Sequence, residues 1–359
     1  MGKIIKILID ATGGANWVGG LYYKKNILFS LLQNKAVCSK YFFVVATEIN
    51  NYSVFDEFKN QIKLVQARAD TIQKKRFELL KISLIYGCQF VFAADSQLFR
   101  LMHKIDIHWI PDFQHNRLPE CFSEFDRKTR SEAYQKNGTD RSPVVLSSND
   151  CLRDFIEYYH PNKNNIYVVH FVSYIEKEIR TLTNSQEKAV LEHYGILEKR
   201  YACIMNQFWQ HKNHRVVINA MEQLYSNYSD CDFTFVFTGK MQDYRNPDYI
   251  ESLKTLFSKP IISSHVKLLG FIEREEQIAI MKNAAFVIQP SLFEGWGTVV
   301  EDAKVLDKTI LLSNIPVHRE QMNEKCILFD PYDPVALVSF GGLFGAVFIT
   351  LFEGTFGLK

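Results

Sequence analysis

Glu294 and Asp302 are two acids separated by seven residues, and the run between them opens Gly295, Trp296, Gly297, Thr298. A β-rich apolar stretch ends at Pro290 just before them, and a helix-like stretch starts near Thr298. Strand, tight glycine loop and helix N-terminus make a phosphate-binding geometry, because the first helical amides lack intrahelical acceptors and the dipole favours an anion there. Glycine lets the backbone approach a ligand without a Cβ in the way. Carboxylates accept hydrogen bonds from sugar and ribose hydroxyls. An ordinary β–α turn with exposed acids would read the same way from these residues alone. On a helix, Glu301 and Asp302 point about 100° apart, so at most one of them faces the loop squarely.

Other segments carry chemistry-bearing types. Gln207, His211, Lys212 and His214 follow the strand expected at 201–205. A lysine there suits phosphate, and the amide of Gln207 is a neutral donor. No acid or third histidine accompanies His211 and His214, which favours capping or packing over metal ligation. Asp112 and His115 follow the strand expected at 106–110. Gly13, Gly14, Gly19 and Gly20 follow the first strand but do not spell Gly-x-Gly-x-x-Gly, so a dinucleotide fingerprint is unsupported. Asp230-Cys231-Asp232 has the look of a metal-binding pair, yet it directly precedes an apolar strand, where polar turn residues belong. No metal site is expected.

These residues need a scaffold. Strand patterns fall at 4–9, 41–46, 62–66, 106–110, 144–147 and 168–171, with helical patterns following the first glycines and over 74–87. A charged, polar stretch at 173–199 separates them from a second series. Its strands are expected at 201–205, 233–238, 266–269, 286–289, 309–313 and 326–329, with helices at 214–228, 275–283 and from Thr298. The βαβ rhythm predicts parallel, doubly wound α/β sheets, and ligands of such sheets sit beyond the carboxyl ends of the strands. The expected organisation is a first domain over 1–172, a connection over 173–199, a second domain over 200–334 and an atypical tail over 335–359.

Composition sets limits. The chain has 359 residues, 47% hydrophobic and 23% charged, as in an ordinary folded protein. A net charge of +2 gives no reason to expect nucleic acid. Seven scattered cysteines with no Cys-x-x-Cys pair suggest reduced thiols, hence a cytoplasmic compartment, and no structural zinc. Lys3, Lys6 and Asp10 interrupt the apolar N-terminus, which reads as a strand and not a signal peptide. Lys59, Lys63, Arg68, Lys74, Lys75, Arg76 and Lys81 make the first half locally basic, which suits peripheral approach to anionic lipids as well as a solvated helix face.

The run from Phe286 to Ala303 resembles the donor-site motif of family 4 glycosyltransferases (glycosyl transferases group 1), retaining enzymes of the GT-B fold. In that motif an acid is followed, after seven residues, by a second acid and then alanine. Glu294, Asp302 and Ala303 hold these places, with Asp where Glu is commoner and Glu301 one residue early. The loop Asn-Gln-Phe-Trp-Gln-His-Lys-Asn-His at 206–214 looks like a subgroup variant of the family's Arg-to-Lys loop. Lys212 keeps the lysine, and Gln207 stands where arginine is usual. The segment after Trp109 is similar to one where His-Asp faces the acceptor and the transferring sugar. Pro111 replaces that His, Asp112 keeps the acid, and His115 one turn on is a candidate replacement. Gly13 and Gly14 match the family's first glycine loop, and Pro316 to Glu320 its Pro-x-x-Arg-Glu segment near the nucleotide.

The resemblance implies two Rossmann-like domains facing a cleft, and a metal-independent, retaining transfer of a sugar from a nucleotide-diphosphate donor to a hydroxyl acceptor. The donor is substrate, and no cofactor is implied. Glu294, Lys212, Asp112 and His115 would be catalytic. Gly13, Gly14, Gln207, Gly295, Trp296, Gly297, Thr298 and Asp302 would bind the donor. Within that set Glu294 would hold sugar hydroxyls, Lys212 and the 295–298 backbone the phosphates, and Asp302 the ribose. The acceptor would be a glycan or a lipid-linked sugar, in surface polysaccharide or glycan synthesis. Two other functions fit the same fold: a sugar-nucleotide epimerase, and a catalytically silent nucleotide-sugar-binding subunit. The second would account for Gln207, Pro111 and the tail together. Residues 335–352 contain no charge, which suggests either a membrane anchor or a non-native end, since the resemblance fades after Pro334.

Overall fold

The computed structural model describes residues 4–13, 18–68, 71–94, 99, 102–162 and 164–337. The chain divides into two compact units: Met1–Pro119 with Glu124–Glu176, and Glu120–Ser123 with Lys177–Lys359.

The first unit is built on β1 (Ile5–Asp10), β2 (Tyr41–Thr47), β3 (Lys63–Gln66), β4 (Phe90–Phe92), β5 (Ile105–Ile110), β6 (Val144–Leu146) and β7 (Ile166–Val168). They form one sheet in the order β3-β2-β1-β4-β5-β6-β7. Every pairing is parallel, for example Ile9↔Val45 and Ile9↔Phe92. Side chains alternate across a strand. Ile9, Phe43 and Val45 therefore enter one core with Leu28 and Phe55, while Leu8, Val44 and Ala46 enter another with Leu79 and Ile82. Helices cover both faces, as parallel strands buried on both sides require.

The second unit repeats the plan with β8 (Arg200–Met205), β9 (Phe233–Thr238), β10 (Val266–Leu268), β11 (Phe286–Gln289), β12 (Ile310–Ser313) and β13 (Cys326–Phe329). Their order is β10-β9-β8-β11-β12-β13. The alternation again splits two cores, with Ala202, Ile204, Phe235 and Phe237 on one face and Tyr201, Cys203, Met205 and Val236 on the other. The chain builds outward from β8 to β10, then returns to place β11 against the free side of β8. That reversal leaves a crevice beyond the carboxyl ends of β8 and β11, where open α/β sheets take their ligands.

The polar stretch 173–199 is divided between the units. Tyr174 stays with the first, its ring stacked 3.8 Å from that of Phe29, and Lys25 meets Glu176. The helix Asn184–His193 belongs to the second unit, whose core takes Leu191 and Ile196. It reads as a linker because only a narrow stripe of it is apolar. The strand expected at 168–171 lies instead at Ile166–Val168, and Phe171 packs beyond it on the edge of Tyr23. Leu337 is buried in the second unit's core, and the rest of the tail, 338–359, lies outside the described residues. Among the described residues no helix is long and apolar enough to cross a membrane.

Candidate functional site

The loops after β8 and β11 are tied together at the crevice. Leu292 N donates to His211 O at 2.8 Å, and the Asn213 side-chain amide donates to Pro290 O (3.2 Å) and Pro331 O (2.8 Å). Asn213 sits at φ 54°, a left-handed conformation that asparagine tolerates, and turns the loop into the helix His214–Asn227. Gly239, after β9, closes the other side. Its φ is +116°, and a Cβ would lie 2.2 Å from Asn206 O, so only glycine lets these two backbones touch.

This frame brings Lys212 and Glu294 together. Lys212 Nζ lies 2.5 Å from Glu294 Oε1, and the same oxygen accepts from Gln289 Nε2 and Ser291 Oγ, both at 2.8 Å. Gln289 is oriented in turn because its Oε1 accepts from Asn206 Nδ2 at 2.9 Å. Three donors thus converge on Oε1, while Oε2 has no hydrogen-bond partner among the described residues. Burial by itself would raise the Glu294 carboxyl. The adjacent Lys212, by charge and hydrogen bond, with smaller help from the Ser291 hydroxyl, outweighs burial and holds it below the ordinary value. Glu294 is therefore an ionised acceptor with one oxygen anchored and one open.

The glycine loop is held from below by Gln321, which Gly297 N bonds at 3.0 Å through Oε1 and which returns Nε2 to Gly297 O at 3.1 Å. A Cβ on Gly297 would meet Gln321 Oε1 at 3.2 Å. The Gly297 amide is thus committed within the protein, a departure from its expected role at phosphate. The helix that follows, Thr298–Val305, has no side-chain cap, so its first turn keeps its amides for another acceptor. The two acids on it diverge. Glu301 accepts from Gln321 Nε2 at 3.0 Å and pairs with Lys304, whereas Asp302 turns to Arg274, whose two terminal nitrogens meet its oxygens at 2.5 and 2.7 Å. Asp302 is 3% exposed, and any ligand there shares it with Arg274.

Gln207 Oε1 accepts from Lys240 N at 2.9 Å, which leaves its Nε2 as the outward donor. His211 and His214 are buried, and His214 stacks 4.3 Å from the Phe208 ring; burial first, then neighbouring Lys212, drives both imidazoles down. His318 is fully buried with Nδ1 2.9 Å from Ser313 O. Burial lowers it to about 4 against the pull of Glu294, so it is neutral and holds the proton on Nδ1. Among the described residues no group of three His, Cys, Asp or Glu could hold a metal.

In the first unit Asp112 Oδ1 accepts from Gln114 N at 3.0 Å in the turn after β5. His115 does not share its exposure. It is 2% exposed, its Nε2 lies 2.9 Å from Tyr159 OH, and burial followed by Arg130 lowers it to about 4. Gly13 has φ +86° and donates its amide to Glu48 Oε1 at 2.7 Å. Gly14 lies outside the described residues. Sequence reasoning named Glu294, Lys212 and Gln207 but not Gln289, Ser291, Arg274 or Gln321. The available signal was polar residues flanking Pro290 where a buried strand should stay apolar.

Two parallel α/β units of this topology are the GT-B arrangement. Residues 186–339, which lie in the second unit, match the family model described as Glycosyl transferases group 1. HepE (Alr3699) of Anabaena in complex with UDP and glucose superposes with a TM-score of 0.69 at 14% identity, covering 94% of this chain and 88% of that one. Sucrose-phosphate synthase of Thermosynechococcus elongatus gives 0.72 at 13% identity, covering 95% and 90%. A glycosyltransferase from Rickettsia africae gives 0.68 at 14% identity, covering 97% and 89%. At such identities the likeness is one of fold. No curated protein sequence matches.

Proposed function

We propose that this chain is a retaining, metal-independent glycosyltransferase that moves a sugar from a nucleoside diphosphate donor to a hydroxyl acceptor. The observation that carries the reading is the Lys212–Glu294 pair at the crevice between β8 and β11, with Glu294 Oε2 open. Oε2 accepts hydroxyls of the donor sugar. Lys212 is within reach of both the carboxylate and an incoming diphosphate, and it neutralises the charge that builds on the leaving group. The uncapped first turn at Thr298 and the outward Nε2 of Gln207 add neutral donors to the same phosphates. Asp302, held by Arg274, has lone pairs left for the ribose hydroxyls.

Glu294 is not assigned as a nucleophile, because its anchored oxygen and buried setting suit a hydrogen-bond acceptor. Attack from the face the leaving group departs from, with the leaving phosphate taking the acceptor's proton, retains configuration and needs no protein base. No cofactor is called for. On the first unit Asp112 is the residue we assign to the acceptor, while His115 supports the turn through Tyr159. The UDP and glucose bound by the similarly folded HepE support a nucleotide-sugar donor. A glycan or lipid-linked acceptor in cytoplasmic surface-glycan synthesis fits this chemistry.

The test is turnover of a nucleotide-sugar panel, with and without hydroxyl acceptors, for the wild type, Glu294→Ala and Lys212→Ala. Transfer or slow donor hydrolysis, lost in both variants, supports the proposal. Isomerised donor would mark an epimerase, and thermal stabilisation by nucleotide without turnover a silent binding subunit.

A further inference from the structure

The helix Ile72–Ile85 of the first unit leaves an apolar face in solvent. Leu79 and Ile82 are buried in the core with Leu8, Val44 and Val91. On the other side Phe77 is 63% exposed, Leu84 48% and Ile85 65%. At about 100° per residue, Lys74, Phe77, Lys81 and Leu84 form one stripe along a helix roughly 21 Å long, with Ile85 beside it. A helix that only covers a sheet carries polar residues on that face. This one interleaves large apolar side chains with lysines, and its charge is Lys74, Lys75, Arg76 and Lys81 against Glu78 alone. Lys75 turns inward to Asp10, 2.7 Å away, so the outward cations are Lys74 and Lys81, both exposed.

We propose that this face docks on an anionic lipid bilayer. Phe77, Leu84 and Ile85 enter the headgroup boundary, while Lys74 and Lys81 lie against lipid phosphates. The charge pattern selects this occupant. A second copy meeting the stripe about a twofold axis through its middle would set Lys74 against Leu84 and Phe77 against Lys81, leaving each lysine against an apolar side chain with no counter-charge, and a soluble polyanion has no place for three apolar side chains. The inference stands on surface chemistry alone and does not depend on the reaction catalysed.

The full chain would be floated with vesicles of phosphatidylcholine and with equimolar phosphatidylcholine and phosphatidylglycerol. Binding to the anionic vesicles only, weakening as salt is added, is expected. Phe77→Ser with Leu84→Ser should lower the partition coefficient by about tenfold or more, and Lys74→Ala or Lys81→Ala by about fivefold each. These residues are exposed, so melting temperature should hold in all variants. Phe77→Trp should show a blue-shifted emission on the anionic vesicles. Equal binding to both vesicle types, no binding to either, or wild-type binding by the double serine variant would overturn the proposal, the last by placing attachment elsewhere, as in 338–359. So would a dimer in sedimentation velocity that Phe77→Ser dissociates.

Discussion

Lys212 Nζ and Glu294 Oε1 lie 2.5 Å apart although 82 positions separate them in sequence. They leave adjacent strands, β8 and β11, which run in the same direction on either side of the point where strand order reverses. A cation and a carboxylate with one open oxygen are thus placed together by the sheet itself.

Removing the cation should change both turnover and acid sensitivity. Lys212→Met leaves Glu294 buried without its counter-charge, costing about 3 kcal/mol of stability at neutral pH and at least about a hundredfold in turnover. The pH response should also invert. In the wild type the depressed carboxyl contributes stability above its ordinary value of 4.5, lost as pH falls through the lower folded value. In Lys212→Met burial raises the carboxyl, so acid should relieve the variant. Denaturation at a series of pH values reads this directly.

His318 gives a second pH signature. Its imidazole falls from 6.5 to about 4 on folding, so between those values the unfolded chain binds the proton and the folded one does not. Stability should therefore rise with pH across that window, with about 3 kcal/mol from this residue. His318→Asn, which keeps a donor for Ser313 O, should flatten the profile there. An unchanged slope would remove His318 from the account.

Two glycines separate backbone conformation from space. Gly87 has φ +65° with nothing near its missing Cβ, whereas Gly239 would drive a Cβ into Asn206 O. Gly87→Ala should cost about 1 kcal/mol. Gly239→Ala should cost more than about 3 kcal/mol or abolish soluble expression. Equal melting temperatures for the two variants would contradict the close approach.

The Arg274–Asp302 fork distinguishes structure from ligand binding. Arg274→Met should cost about 3 kcal/mol by stranding a buried carboxylate, and Arg274→Met with Asp302→Leu should recover much of that. If Asp302 also holds the ribose, the double variant will be stable yet bind nucleoside diphosphate at least about tenfold more weakly. Calorimetric titration with UDP separates the two effects.

The fold was legible where strands are long apolar runs, as in Phe233–Thr238. It was not at Phe90–Phe92, a three-residue strand too short to show a period. The helix Glu124–Thr139 escaped notice because it buries little, chiefly Asn137 and Gly138. At the site, the resemblance singled out Glu294 and Lys212 as candidates, and the structure places them side by side, yet no spacing rule predicts that Gln289 and Ser291 would saturate one oxygen of the acid. Register with Ala303 favours Asp302 over Glu301; the partners that turn the two acids apart, Arg274 and Gln321, lie 28 and 20 residues away, beyond any local pattern.

The contact at Gly239 bears on how such a protein can change over generations. Where two loops meet backbone to backbone, neither can lengthen or shift without breaking the other. Adaptation to a new ligand at this rim must then come from exchanging side chains on a fixed outline, at positions such as Gln207 and Lys240, not from reshaping the loops that carry them.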